Sequence, residues 1–358
     1  MSDSSTRLPP LVLTLSFPSL SAFLASSSHL PQVSLAAQET DSLTVHIRTP
    51  PSLHSSPWAS LRTRPPSTGA SSSSSSSSSA PPPVPPSPVH LWLPLERALA
   101  QVYSTASQVF LKHRRVLATV DVVVDEMRGL PLCRPSDAES IHWQSDEGDD
   151  EHAQATEDDA GDQREGKGIY DVVALGGTFD HLHAGHKILL SMACAITQTK
   201  LIVGVSGDSL LKNKKYPELL ESLEHRIRTV ERFIELVRPS IAHEVVPLQD
   251  VYGPTAHDPS IEALVVSDET RQGGSTINDL RLSRNLNALD IHIINLVADD
   301  AEADEASKRG EPAVKVEAAA KMGSTGIREW IAKQKKQEAD GRIDGREEGG
   351  EADLRDGK

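Results

Sequence analysis

Apolar and polar positions divide the chain into two ordered stretches separated by polar tracts. In the first, residues 11–20 begin with a solid apolar run and Ser42-Leu-Thr-Val-His-Ile47 alternates, which are the two signatures of strands. Residues 20–35, between them, have helical spacing. From Arg62 to Pro88 the chain is mostly serine and proline; such a tract has nothing to bury and is expected to be a disordered insert. Beyond it, residues 95–104 have a helical pattern and residues 118–124 read as a strand. Residues 1–130 therefore read as a smaller α/β region interrupted by the insert at 62–88. Residues 131–167 read as a solvated linker, because Asp137 to Glu165 holds twelve acidic residues against the single Arg164.

The second stretch alternates short apolar runs with helical patterns. Strands are predicted at 172–175, 200–206, 243–247, 263–267 and 290–296. Helices are predicted at 187–196, at 224–237 with a stop at Arg238-Pro239, at 275–289 with Ser275 as N-cap, and at about 326–336. This rhythm predicts a Rossmann-like, doubly wound parallel sheet of five strands over residues 168–336. Residues 299–311 are read as an acidic surface insert, and residues 337–358 as a disordered charged tail.

Composition narrows the function. A net charge of −15 argues against a general nucleic-acid binder, which needs a basic face. Two cysteines, Cys133 and Cys194, make no disulfide framework and fit a reducing, cytoplasmic setting. No apolar run reaches the ~18 residues of a membrane span, so no integral membrane segment is expected.

The chemistry concentrates after the strand at 172–175. Gly176 and Gly177 end that strand and allow close backbone approach. A helix then begins, and its N-terminal amides and dipole suit phosphate. His183 and His186, three apart, share one face of its first turn. The stretch Gly177-Thr-Phe-Asp-His-Leu-His-Ala-Gly-His186 resembles the (H/T)xGH signature of the nucleotidyltransferase superfamily. With Val265-Val-Ser-Asp-Glu-Thr-Arg-Gln-Gly-Gly274 and Lys321-Met-Gly-Ser-Thr-Gly-Ile-Arg328, it resembles eukaryotic, fungal-type phosphopantetheine adenylyltransferases over about residues 168–335. Three blocks in this order, each at a strand end, are far more specific than a lone histidine motif.

The resemblance implies transfer of AMP from ATP to 4′-phosphopantetheine, giving dephospho-CoA and pyrophosphate in coenzyme A synthesis. Such a reaction needs no base, because a phosphate monoester with a second pKa of about 6 is already mostly dianionic. The protein has to position two anions and offset charge on the bridging oxygens. The resemblance implies that His186 and His183 face the ATP phosphates, that Thr178 and Phe179 meet both substrates, and that Gly177 allows close backbone approach to the nucleotide; core packing is the alternative for Phe179. It implies that one of Lys212, Lys214 and Lys215 bridges the two phosphates, Lys212 or Lys214 being favoured; a solvated basic loop is the alternative and holds for at least one of the three. It further assigns phosphate to Arg271, a turn over nucleotide to Gly273 and Gly274, and the triphosphate to Ser324, Thr325 and Arg328. Met322 and Gly323 depart from the pattern, where Ile and Ser are usual. Mg2+ is expected to arrive with ATP, held mostly by phosphates and water. The expected partners are ATP and 4′-phosphopantetheine, with the N-terminal region left for other enzymes of the coenzyme A pathway. Two other readings remain at this point: a cytidylyltransferase or NMN adenylyltransferase of the same superfamily, and a catalytically dead nucleotide-binding scaffold.

Overall fold

The computed structural model describes residues 8–17, 20–48, 89–124, 139–144, 170–294 and 322–347. The Ser/Pro insert at 62–88, the acidic insert at 299–311 and most of the linker at 131–167 lie outside the described residues.

The N-terminal region is a parallel sheet of four strands, β1 (Leu11–Ser16), β2 (Ser42–Arg48), β3 (Thr119–Val124) and β4 (Glu139–Gln144), in the order β3-β2-β1-β4. The central strand is apolar on both faces, as parallel strands require: Leu11, Val12, Leu13 and Leu15 are all buried. β4 corrects the reading of 131–167 as linker throughout. Acidic flanks on both sides dominate the local composition, and the short alternation Ser140-Ile-His-Trp143 is lost among them.

The helix expected over 20–35 is two helices, α1 (Leu20–Ala25) and α2 (Leu30–Gln38). The serines between them explain the break. Ser28 N–H donates to Ser26 Oγ at 3.3 Å and the two hydroxyls lie 2.6 Å apart, so side chains take over the backbone's bonds. The helix α3 (Val89–Lys112) buries Leu95, Ala98, Leu99, Val102, Tyr103, Ala106 and Phe110, a stripe at helical spacing.

The second sheet is parallel and five-stranded, in the order β7-β6-β5-β8-β9. Its strands are β5 (Tyr170–Gly177), β6 (Thr197–Ser206), β7 (Ala242–Leu248), β8 (Ala263–Ser267) and β9 (Asp290–Ile294). The connecting helices are α4 (Ala184–Ile196), α5 (Leu223–Val237) and α6 (Arg271–Ser283). The chain builds outward from β5 through β6 to β7, then returns to the other side of β5 for β8 and β9. The carboxyl end of β5 therefore sits at the point where winding reverses, which is where open α/β sheets bind ligands. Gly204 in β6 lets β7 close up: a Cβ there would meet the Leu248 side chain at 2.7 Å.

The last helix, α7, runs Ser324–Glu347, so residues 337–347 of the expected tail are helical. That run contains no proline, and Gly341 and Gly345 lower helix propensity without terminating it. The two sheets share one hydrophobic core, which passes from Leu13, Val45 and Tyr103 to Val173, Leu190 and Phe233. Cys194 lies in it, and burial pushes its thiol up to about 12, an inert core group. Among the described residues no helix is long and apolar enough to cross a membrane.

Candidate active site

The loop leaving β5 is conformationally tight. Phe179 and His181 both have positive φ, 50° and 46°, an uncommon setting for side chains of this size. Their strain is held by a hub at Asp180, which is completely buried. Its carboxylate accepts from the Glu221 N–H at 2.9 Å and from the guanidinium of Arg328. Its carbonyl accepts from Ser324 Oγ at 2.8 Å. The Arg328 guanidinium also donates through Nε to the Lys215 carbonyl (3.0 Å) and through Nη2 to Thr325 Oγ1 (3.2 Å). The glycine-histidine loop, the lysine loop and the start of α7 are thus tied into one unit.

His183 stands at the N-cap of α4, with extended backbone and no side-chain capping bond. Its ring stacks on that of His186, centroids 3.9 Å apart at 29°. The ring of Phe179 also packs on His186, centroids 5.2 Å apart and tilted by 50°. Burial holds His183 down at about 4, against the pull of Asp180. Burial also lowers His186 well below its ordinary range, and the charges of His183 and Lys214 add to it. Both rings are neutral near pH 7. Nδ1 of His186 is buried and has no hydrogen-bond partner in the protein.

The predicted residues separate into three groups. His183, His186, Gly177, Thr178 and Lys214 converge at the carboxyl end of β5 and the start of α4. Lys212, Lys214 and Lys215 are all exposed, but it is the charge of Lys214 that is felt at His186. The start of α7 joins this group, since a side chain on Gly323 would begin 3.9 Å from His183 Nε2. Ser324 and Thr325 lie here with the helix amides, although both hydroxyls already have protein partners.

A second group supports the first. Phe179 is fully buried, and its ring lies where a Cβ on Gly177 would meet it at 3.1 Å, so its side chain buttresses the loop and His186. Arg328, expected on the triphosphate, is 1% exposed and committed to Asp180, Lys215 and Thr325. Its charge is spent holding the site's walls together.

The third group lies one strand over. Arg271 is the first residue of α6 and is exposed. β8 pairs with β5 through Leu175↔Val265, so extending the register sets Ser267 level with Gly177, and Arg271 follows four residues later at the same sheet edge. Gly273 and Gly274, expected in a turn, are inside the helix, which starts at Arg271 rather than Ser275. A 3-10 turn at Asp268–Thr270 feeds α6 directly. Gly274 then allows close packing, as a Cβ there would touch Ile291 at 3.3 Å, while one on Gly273 would meet nothing within 4 Å. Asp250 accepts from Tyr252 and Gly253 N–H, both at 2.8 Å, and shapes its own turn.

Two structural residues escaped the sequence reading. Arg226 in α5 is fully buried and donates Nη1 to the carbonyls of Thr178 and Ser206, each at 2.8 Å, pinning the ends of β5 and β6 together. A charged residue in line with Val230, Phe233 and Val237, on the apolar stripe of α5, was the signal. Lys187 was counted in an apolar helix, but it is a buried cation reaching into the N-terminal domain.

Neutral imidazoles, a lysine and helix N-termini gathered at a winding reversal define a nucleotidyltransferase. Comparisons with known proteins agree. A family model described as cytidylyltransferase-like matches residues 174–329. The phosphopantetheine adenylyltransferase of Saccharomyces cerevisiae is 36% identical over 217 residues, covering 57% of this chain and 71% of its own. An uncharacterised Schizosaccharomyces pombe protein is 40% identical over 169 residues, or 47% of this chain and 51% of its own. The phosphopantetheine adenylyltransferase of Methanopyrus kandleri is 41% identical over 127 residues, or 36% of this chain and 80% of its own. The chain belongs to the phosphopantetheine adenylyltransferase family.

Proposed function

We propose that the protein transfers the adenylyl group of ATP to the phosphate of 4′-phosphopantetheine. A phosphate oxygen of the acceptor attacks the α-phosphorus in line. A new P–O bond forms, the bond from the α-phosphorus to the α,β-bridging oxygen breaks, and pyrophosphate leaves with that electron pair. Dephospho-CoA is the other product. The dianionic acceptor needs no proton removed, so the protein's work is orientation and charge.

The observation that carries this reading is the neutral His183–His186 stack at the first turn of α4, next to the charge of Lys214. In this reading His186 donates to an oxygen that gains charge as the bond breaks. His183 and the first amides of α4 and α7 orient the triphosphate. Lys214 bridges the acceptor phosphate and the α-phosphate, and Arg271 reaches the outgoing pyrophosphate from the neighbouring strand. Thr178 and Gly177 line the floor.

Mg2+ enters as part of the nucleotide in this reading. Among the described residues no three His, Cys, Asp or Glu side chains gather to hold a metal, and the Asp180 carboxylate is engaged by Glu221 and Arg328. Arriving with ATP, the ion would be held mostly by phosphate oxygens and water and would offset charge on the leaving group. Two cysteines, too few for a disulfide framework, support a reducing, cytoplasmic location.

The test is pyrophosphate release by the full-length protein, with ATP or CTP offered against 4′-phosphopantetheine, glycerol phosphate, phosphoethanolamine and NMN. Turnover confined to ATP with 4′-phosphopantetheine is expected. Turnover with another pair, or ATP binding with no release for any acceptor, overturns the reading.

A further inference from the structure

We propose that the N-terminal domain is a working part of the active site, acting through Lys187 as a positioning residue. The inference rests on the reading that His183 and His186 meet phosphate.

Lys187 follows His186 directly, so its side chain leaves α4 about 100° around the axis from that of His186. It runs away from the histidine face and across the domain joint. There its ammonium donates to the Val120 carbonyl at 2.7 Å and pairs with Asp121 Oδ1 at 2.7 Å, both in β3. It also lies 5.9 Å from the centre of the Phe233 ring in α5. The Lys187 side chain is only 7% exposed. A buried ammonium is tolerated only where its donors are taken, and here the N-terminal domain supplies the acceptors.

The two rings pack on each other, and that of His186 on Phe179, but they have few polar ties. His183 makes no side-chain capping bond and Nδ1 of His186 has no protein partner. Their turn is held at one end by the Asp180 hub and at the other by Lys187, whose backbone N–H closes the first helical bond on the His183 carbonyl at 3.0 Å. The rest of α4 is buried in the core, so loss of the Lys187 tie to β3 is expected to shift the half-buried first turn, and both rings with it, rather than to free the helix. Misplacement of reacting groups by about 1 Å costs on the order of 100-fold in rate. As stabilisation alone the pair has little advantage, since well-packed apolar residues commonly replace a buried ion pair without loss. Its value lies in direction. A cleft of about 690 Å³ follows the joint, with Lys187, Asp121 and His183 among the residues that line it.

The experiment compares full-length wild type with Lys187→Met, Asp121→Asn and the double variant Lys187→Met/Asp121→Leu. For each, kcat, KM for ATP, folded fraction and the ring NMR signals of His183 and His186 are measured. Lys187→Met should lower kcat by at least about tenfold, shift both histidine ring signals and leave the protein folded, with KM changing much less. Asp121→Asn should lie between it and wild type, and the double variant should be little worse than Lys187→Met, because the two residues act as one pair. Lys187→Gln, which keeps a donor to Val120, should recover part of the rate. Wild-type kcat with unmoved ring signals in Lys187→Met overturns the proposal. So does a loss of rate that only follows the loss of folded protein. The NMR arm needs no substrate. If wild type releases no pyrophosphate at all, the functional reading falls, and the ring signals still decide whether Lys187 sets the histidines.

Discussion

Arg328 and Asp180, 148 residues apart in sequence, form an ion pair with side-chain exposures of 1% and 0%. Asp180 sits in the loop that presents the histidines and Arg328 one turn into α7, so the pair joins the first and last of the three motif blocks.

Breaking that pair from one side should be severe. Arg328→Met strands a buried carboxylate, and loss of about 3–5 kcal/mol is expected. Urea unfolding of the variant measures it directly; a loss below ~1 kcal/mol would show that the Asp180 hub does not hold the loop.

His186→Ala should reduce kcat by about 10²–10³, the usual effect of removing one preorganised donor to developing charge. Circular dichroism should show the fold intact. Near wild-type turnover would reassign His186 to packing beside Phe179.

The three lysines should separate. Lys214→Ala is expected to lower kcat/KM by much more than Lys212→Ala, because the charge of Lys214 is felt at His186. Steady-state kinetics with saturating ATP and varied acceptor distinguishes them, and equal losses would place the bridging role elsewhere in the loop.

Acid should weaken the fold well before the carboxylates titrate. His29 and His183 are each lowered from 6.5 to about 4 by burial. Between those values the unfolded chain binds protons that the folded one refuses. Stability therefore falls as pH drops from about 6.5 towards 4 and levels off below. His29 packs against both Phe17 and Phe23, with both ring nitrogens buried and without a hydrogen-bond partner. His29→Phe should flatten the slope and raise stability at pH 5, as read from thermal melts across pH; an unchanged slope would place the acid sensitivity elsewhere.

Much of the second domain was legible because each parallel strand is a short apolar run bounded by glycine, proline or a helix cap. The start of α4 was equally visible, since Gly177, His183 and His186 lie within ten residues. What escaped was long-range. The partners of Arg328 at Asp180 and Lys215 come from distant loops, so its motif position suggested phosphate where the fold supplies a carboxylate. Lys187 looked like the polar flank of an apolar helix until β3 was placed against it. Gly273 and Gly274 signalled a turn, but packing on Ile291 favours a glycine inside α6. β4 was hidden by its acidic surroundings.

The unbroken core beneath both sheets has a practical consequence. A chain cut ahead of β5 would leave the apolar faces of α4 and α5 bare to water, including Phe233 and its neighbours. Such a fragment has a reason to stick to itself and none to stay dispersed. Damage to the buried positions of the first sheet and its helices is therefore expected to reach the cell as a shortage of enzyme, even where no substrate is ever touched.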